Sequence, residues 1–151
     1  MPLRRYLLAL VLIAAAVPAG ALETFTTSEL TVTTATGPHK FTVELALSEP
    51  QREQGLMFRQ SMAPDHGMLF DMDVSQPISM WMKNTFIPLD MLFLDPSGRI
   101  VDIYERAVPL STSIIASKAP ARYVIELNGG TADRIGAKVG DRVTSPYFAR
   151  R

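Results

Sequence analysis

The sequence predicts an α+β domain, a compact and mostly antiparallel β-sheet or small barrel-like fold with one or two short helices. Three observations carry that expectation. Phe41, Val43, Leu45 and Leu47 alternate with Thr42, Glu44, Ala46 and Ser48, the period of a strand with one buried face. Leu89 to Leu94 and Ile100 to Tyr104 flank Asp95-Pro96-Ser97-Gly98, whose residues suit a tight turn. Nowhere do strands and helices alternate as a doubly wound sheet requires.

Taken in order, residues 1–21 read as a secretory signal peptide. Arg4 and Arg5 precede the apolar run Leu7 to Val17, and Pro18 with Ala19-Gly20-Ala21 supplies a small-residue cleavage site. As a helix that run spans about 16 Å, against about 30 Å of bilayer hydrocarbon, so no permanent membrane anchor is expected after cleavage. The mature protein is therefore expected in the periplasm or secreted. The Arg pair also resembles a twin-arginine signal, and ordinary export of an unfolded chain is the favoured route.

Residues 22–39 are rich in Thr, with only Leu30 and Val32 alternating, and predict an N-terminal arm or short lead-in strand. A single globular domain is expected over residues 40–151. Ser48-Glu49-Pro50-Gln51 is a helix start: Ser48 at the N-cap, Glu49 near the positive end, Pro50 in the first turn, and Gln51 closing a capping box. That helix is expected to reach about Phe58. Strands follow at Met68 to Phe70 and Ile78 to Thr85, then the hairpin, a long loop over 107–120, and a strand from Arg122 to Leu127. Thr131 is expected to cap a brief helix ended by Gly136, with a last short strand at Val143.

Composition narrows the function. The chain has no Cys, which excludes disulfides, thiol chemistry and Cys-ligated zinc. Of its 15 basic residues Arg4 and Arg5 fall in the signal, leaving 13 against 15 acidic, so no nucleic-acid footprint is present. No stretch is dedicated to an oligomer, and a monomer is expected.

Gly55-Leu56-Met57-Phe58-Arg59, Gly67-Met68-Leu69-Phe70, Trp81-Met82-Lys83-Asn84-Thr85, Ile87-Pro88-Leu89-Asp90, Phe93 with Asp95, Gly98, and Glu126-Leu127 with Gly129 together resemble the family called domain of unknown function 192. The resemblance covers roughly residues 40–144. It implies a β-rich domain with a helix packed on it, in a family without an established activity. That family pattern usually carries Phe before the Trp; Met80 stands there instead, which implies a slot for an apolar filler.

Two constellations draw attention. Seven of the eight Met, Met57 through Met91, fall within 35 residues. Thioethers are soft ligands, so Met80 with Met82, or His66 with Met68, could hold Cu(I) or Ag(I); equally, Met is a flexible core filler. The second is polar: Arg59, Lys83, Asn84, Asp90 and Glu126, with Trp81 nearby. Strand alternation would put Met80, Met82 and Asn84 on one face and Trp81, Lys83 and Thr85 on the other. Lys83 and Asp90 could pair across neighbouring strands, or Arg59 and Lys83 could meet an anionic ligand that Asn84 and Asp90 orient against a Trp81 wall. A sugar would suit the same groups.

Catalysis has thinner support. Neither a Gly-x-Ser-x-Gly elbow nor a His-Glu-x-x-His motif occurs, and Asp65-His66 reads as a turn pair. Asp90 with Glu126 would make a hydrolytic carboxylate pair if their carboxyls lay about 5 to 10 Å apart. The expectation is thus a binding or accessory domain for a small polar or anionic ligand, through Arg59, Trp81, Lys83, Asn84, Asp90 and Glu126. No cofactor, resident metal or catalytic residue is expected. Cu(I) or Ag(I) binding and carboxylate-dependent hydrolysis are the alternatives.

Overall fold

The Thr-rich segment predicted as an arm is a full strand. In the computed structural model, which describes residues 20–150, β1 (Thr26–Thr34) and β2 (Gly37–Ala46) form an antiparallel hairpin with Thr26 opposite Leu45 and Thr34 opposite Gly37. The expected signal lies, but for its last two residues, outside the described residues. Threonine is β-branched and favours a pleated strand even where exposed, so β1 needs only Leu30 and Val32 to face the core.

α1 (Glu49–Gln54) starts as predicted. The Ser48 hydroxyl accepts from Gln51 N, and the Gln51 side chain accepts from Ser48 N at 3.1 Å. It stops earlier than expected, at Gly55, whose φ of 48° turns the chain. A side chain at Gly55 would also stand 3.1 Å from the Phe70 ring. Residues 47–65, α1 included, are the crossover that brings β3 (His66–Gln76) parallel to β2.

The predicted strand over 78–85 is the main departure. Only β4 (Ser79–Met80) is extended, and it pairs with β7 (Ile115–Ala116), which interrupts the long loop predicted there. Beyond Met80 the backbone takes loop partners instead of a ladder: Met82 N bonds Ser111 O, and Thr85 N bonds Met82 O. Asn84 sits at φ 52°, a left-handed conformation that Asn tolerates and a strand does not.

The hairpin of β5 (Leu89–Leu94) and β6 (Ile100–Ala107) forms as predicted, its turn held by Asp95, whose Oδ1 accepts from Ser97 N and Arg99 N. β8 (Ala121–Asn128), α2 (Thr131–Ile135), β9 (Arg142–Thr144) and a 3₁₀ turn at Phe148–Arg150 complete the chain. The main sheet runs β6-β5-β8-β3-β2-β1-β9, antiparallel except for β2 with β3. It curls until its two edges meet at one corner, where Arg99 bridges Arg142 and Val143 N bonds Gly98 O.

That curl makes two cores. Leu45, Leu69, Ile125 and Leu92, paired in one cross-strand row, face the inside with Tyr123 and Val143. Met68, Phe70, Met91, Phe93 and Val124 face outward beneath Leu56, Ile78 and Met82 from α1's end and the loops. Every residue of β5 is therefore buried, which is why its sequence does not alternate.

Asp90, on β5, ties three segments together. Its Oδ1 accepts from Arg106 N at 2.8 Å and Gly130 N at 3.0 Å, and its Oδ2 from Ala132 N at 2.8 Å. Thr131 was expected to cap α2, but Gly130 occupies the N-cap with no side-chain cap bond of its own, and the carboxylate from β5 serves instead. Asp90→Ala strands three N–H groups around a buried site, so urea denaturation is expected to show a loss of about 3 kcal/mol or more. Asp90→Asn, which keeps one acceptor, is expected to lose less.

Candidate binding pocket

Cross-strand register builds the outer face one row at a time. Glu44 on β2 stands beside Met68 on β3, Met68 beside Glu126 on β8, and Glu126 beside Met91 on β5. Neighbours in such a row project to the same side of the sheet, so methionines flank the Glu126 carboxyl on both sides. α1 and the 77–88 loop cover this face incompletely. The gap is a partly open cavity of about 230 Å³, walled by Leu56, Met57, Phe70, Met72, Met80 and Trp81, with Glu126 as its floor. Glu49, Arg52 and Glu53 of α1 form the charged rim.

Glu126 is 4% exposed, and among the described residues its carboxyl has no hydrogen-bond or ion-pair partner. Burial alone pushes its pKa from 4.5 up to about 8, so at neutral pH the group is mostly the uncharged acid. No fully buried side-chain oxygen or nitrogen among the described residues lacks a partner, which fits a carboxyl whose edge opens onto the cavity. Asp71 on β3 is the contrast. Burial disfavours its charge too, but Arg122 at 3.2 Å, the Tyr147 hydroxyl at 2.7 Å and Asp73 N outweigh it and hold its pKa below the usual carboxylate range.

The six residues singled out in the sequence divide. Trp81 and Glu126 line the cavity. Asn84 stands behind its wall, with Nδ2 3.9 Å from the Met57 sulfur and its carbonyl accepting from Phe58 N. Lys83 reaches the site only through Trp81, its Nζ 5.1 Å from the ring centroid. Arg59 grips Glu44 with both guanidinium nitrogens, and Asp90 is spent on backbone N–H groups. The Lys83–Asp90 ion pair does not form. Nor do Asp90 and Glu126 make a carboxylate pair: Asp90 is registered with Leu127 and Glu126 with Met91, which puts them on opposite faces of the sheet.

The methionines divide as well. Met68, Met82 and Met91 are fully buried packing, whereas Met57, Met72 and Met80 line the cavity. His66 is exposed, bonds Asp65 at 2.9 Å, and is not among the cavity residues. The α1 rim had no signal in the sequence beyond the capping box that starts the helix. Leu56 and Phe70 did have one, as apolar members of the family motifs.

Fold and site together define a curled β-sheet domain of the α+β class with a small apolar pocket on its outer face. The chain belongs to the family described as Uncharacterized ACR, domain of unknown function 192, which it matches over residues 30–145. It is 30% identical over 103 residues to UPF0127 protein PH1112 of Pyrococcus horikoshii, covering 67% of this chain and 84% of that one. Among solved structures it is similar to a Sinorhizobium meliloti 1021 protein described as a candidate transcription regulator, with a TM-score of 0.79 and 52% identity over 82% of this chain and 96% of that one. A Novosphingobium aromaticivorans protein of unknown function is also similar, with a TM-score of 0.76 and 36% identity over 86% and 91% of the two chains.

The Glu126 environment predicts a specific pH profile. Between about 4.5 and about 8 the native state holds a proton that the unfolded chain releases. Glu126's contribution to stability is therefore complete below 4.5 and falls by about 1.4 kcal/mol per pH unit as pH rises towards the folded pKa. Glu126→Gln lacks this slope. Urea denaturation from pH 4.5 to 8.5 is expected to find the variant gaining on the parent throughout that window; parallel curves would contradict the assignment.

Proposed function

We propose that the chain is an exported binding or accessory domain whose outer-face cavity takes a small ligand with an apolar body and one neutral polar group, bonded by Glu126. The observation that carries this reading is a buried carboxyl without a protein partner at the floor of a cavity walled by thioether and aromatic side chains. Such a pocket favours an apolar body for its walls and needs one oriented polar contact. Its volume is somewhat above the roughly 150 Å³ of an engineered cavity that admits benzene, so the ligand is small. Arg59 is paired with Glu44, so this reading does not offer it to an anionic ligand. The regulator description of the Sinorhizobium protein gains nothing from the charge here, with 13 basic against 15 acidic residues after position 21.

Titration with hexanamide and with n-hexane, read by Trp81 fluorescence and by melting temperature, tests the reading. The amide is expected to bind and raise the melting temperature, and Glu126→Leu to weaken it roughly tenfold while leaving hexane unaffected. Glu126→Gln, which still donates and accepts, is expected to retain binding. Loss in Glu126→Gln, together with tighter binding of hexylamine above pH 8, would mean a cationic ligand and overturn the neutral one.

A second reading has its own support: Met57, Met72 and Met80 bring three soft thioethers to one cavity. On that reading Ag(I), used in place of air-sensitive Cu(I), raises the melting temperature of the parent. The Met72→Leu, Met80→Leu double variant is expected to lose the shift, and an equal shift in both would remove the metal from consideration.

A further inference from the structure

Ten large hydrophobic side chains are exposed among the described residues, and seven of them gather at one end of the molecule: Leu22, Phe58, Trp81, Phe86, Val108, Leu110 and Ile114. The structure makes them one surface. Phe58 and Phe86 meet edge to face with centroids 6.4 Å apart. Phe58 N bonds Asn84 O, Leu110 N bonds Thr85 O, and Ser111 N bonds Val108 O, so three loops are laced together. Met80 pairs with Ile115 and Met82 N bonds Ser111 O, so the segments that carry Trp81 and Ile114 run beside one another. An apolar patch of this kind on a small domain marks an interaction site.

Its exposure is built in. Three of the five non-glycine residues with positive φ among the described residues lie in these loops: Phe58 at 67°, Asn84 at 52° and Leu110 at 64°. Bulky side chains rarely adopt that conformation, and strain of this sort persists where the surrounding structure enforces it. Here the enforced turns hold Phe58 and Leu110 outward, 49% and 58% exposed.

The occupant is indicated by where the chain comes from. Gly20, Ala21 and Leu22 lie in the same shallow hollow as Met57 and Phe58, and Glu23 N bonds the Gln54 side chain at 2.7 Å. The 19 residues before Gly20, with the apolar run 7–17 and its two arginines, therefore join the domain at the edge of the patch. Until the expected cleavage after Ala21, a leader that enters a bilayer holds this end of the chain at the lipid surface, so the patch forms where lipid is at hand. The chemistry of the patch agrees. Trp81 carries Lys83 over its ring, an aromatic and a cation together, as at membrane interfaces, and Lys83 makes no ion pair among the described residues.

We propose that the loop surface formed by Phe58, Trp81, Phe86, Leu110 and Ile114 docks the folded domain peripherally on a lipid bilayer, independently of the leader and of whether the neighbouring cavity binds a ligand. No helix among the described residues is long and apolar enough to cross a membrane, so the contact is interfacial.

Trp81 is the chain's only Trp, which makes it the reporter. Residues 22–151, the expected mature chain, with every strand and helix found among the described residues, are mixed with vesicles of phosphatidylethanolamine and phosphatidylglycerol, with and without brominated acyl chains. Co-sedimentation and quenching of Trp81 by the bromolipid are expected. Phe58→Asn and Leu110→Asn are expected to weaken partitioning by roughly tenfold each, the order expected for one withdrawn apolar side chain. Asn tolerates left-handed backbone, so both variants are expected to melt like the parent. Val139→Asn, at an exposed Val away from the patch, is expected to change nothing. Absence of both co-sedimentation and quenching overturns the proposal. So does a lipid-free dimer in sedimentation velocity that Phe58→Asn dissociates, because the patch would then be covered by a second copy.

Discussion

Burial of β5 and β8 on both faces is the constraint from which the rest follows. A sheet that curls far enough for β6 to touch β9 has an inside to fill, and its outer face, packed under α1 and three loops, becomes a second core. Every polar group on the middle strands must then be satisfied within the protein or made neutral, because exposure is no longer available. Asp71 keeps its charge with Arg122 and Tyr147, and Asp90 accepts from three backbone N–H groups. Glu126 finds neither and retains its proton. One architectural condition thus produces three carboxyls in three states, and only the third is available for a ligand.

The same constraint explains the methionines. The two residues beside Glu126 in its cross-strand row, Met68 and Met91, are long, unbranched and soft, and can follow the contour around a carboxyl that a β-branched side chain would leave gapped. Above them, Met57, Met72 and Met80 line the opening where the cover fails to close. The clustering of methionine between positions 57 and 91 is a consequence of that outer core, part of it fully packed and part of it lining the cavity.

What could be read in the sequence was local chemistry. The Ser48–Gln51 capping box, the Asp95–Gly98 turn and the Gly136 stop each lie within a few residues, and each forms. β1 was legible only as an arm because exposed threonines hide an alternation that Leu30 and Val32 carry alone. Met80 to Thr85 looked like a strand because its residues alternate in character, but the partners of its backbone, Ser111 and Phe58, lie some 30 residues away in either direction. The site followed the same division. Trp81 and Glu126 stand out by type and reach the cavity, whereas the fates of Arg59 and Asp90 depend on Glu44 and on the turn at Gly130. Only the sheet register and the curl bring those partners near.

The cavity and the exposed apolar surface have one origin. The loops and β7 that cover the outer core contribute Met82, Ile87 and Ile115 inward, and the left-handed turns at Phe58, Asn84 and Leu110 leave apolar side chains such as Phe58, Phe86 and Leu110 outward. A cover intended only to seal Met68, Met91 and Phe93 from water would have no use for Phe58, Phe86 or Leu110 on its far side. Replacing them by polar residues would cost the core nothing, since they do not belong to it. Trp81 belongs to both features, lining the cavity while standing 45% exposed beside Lys83. If both the proposed ligand and the proposed lipid contact hold, a surface that is apolar on its outer side and opens beside a buried acid on its inner side would suit passing a small, sparingly soluble molecule between an apolar phase and the domain. That suitability follows from side chains the fold does not require for its own stability.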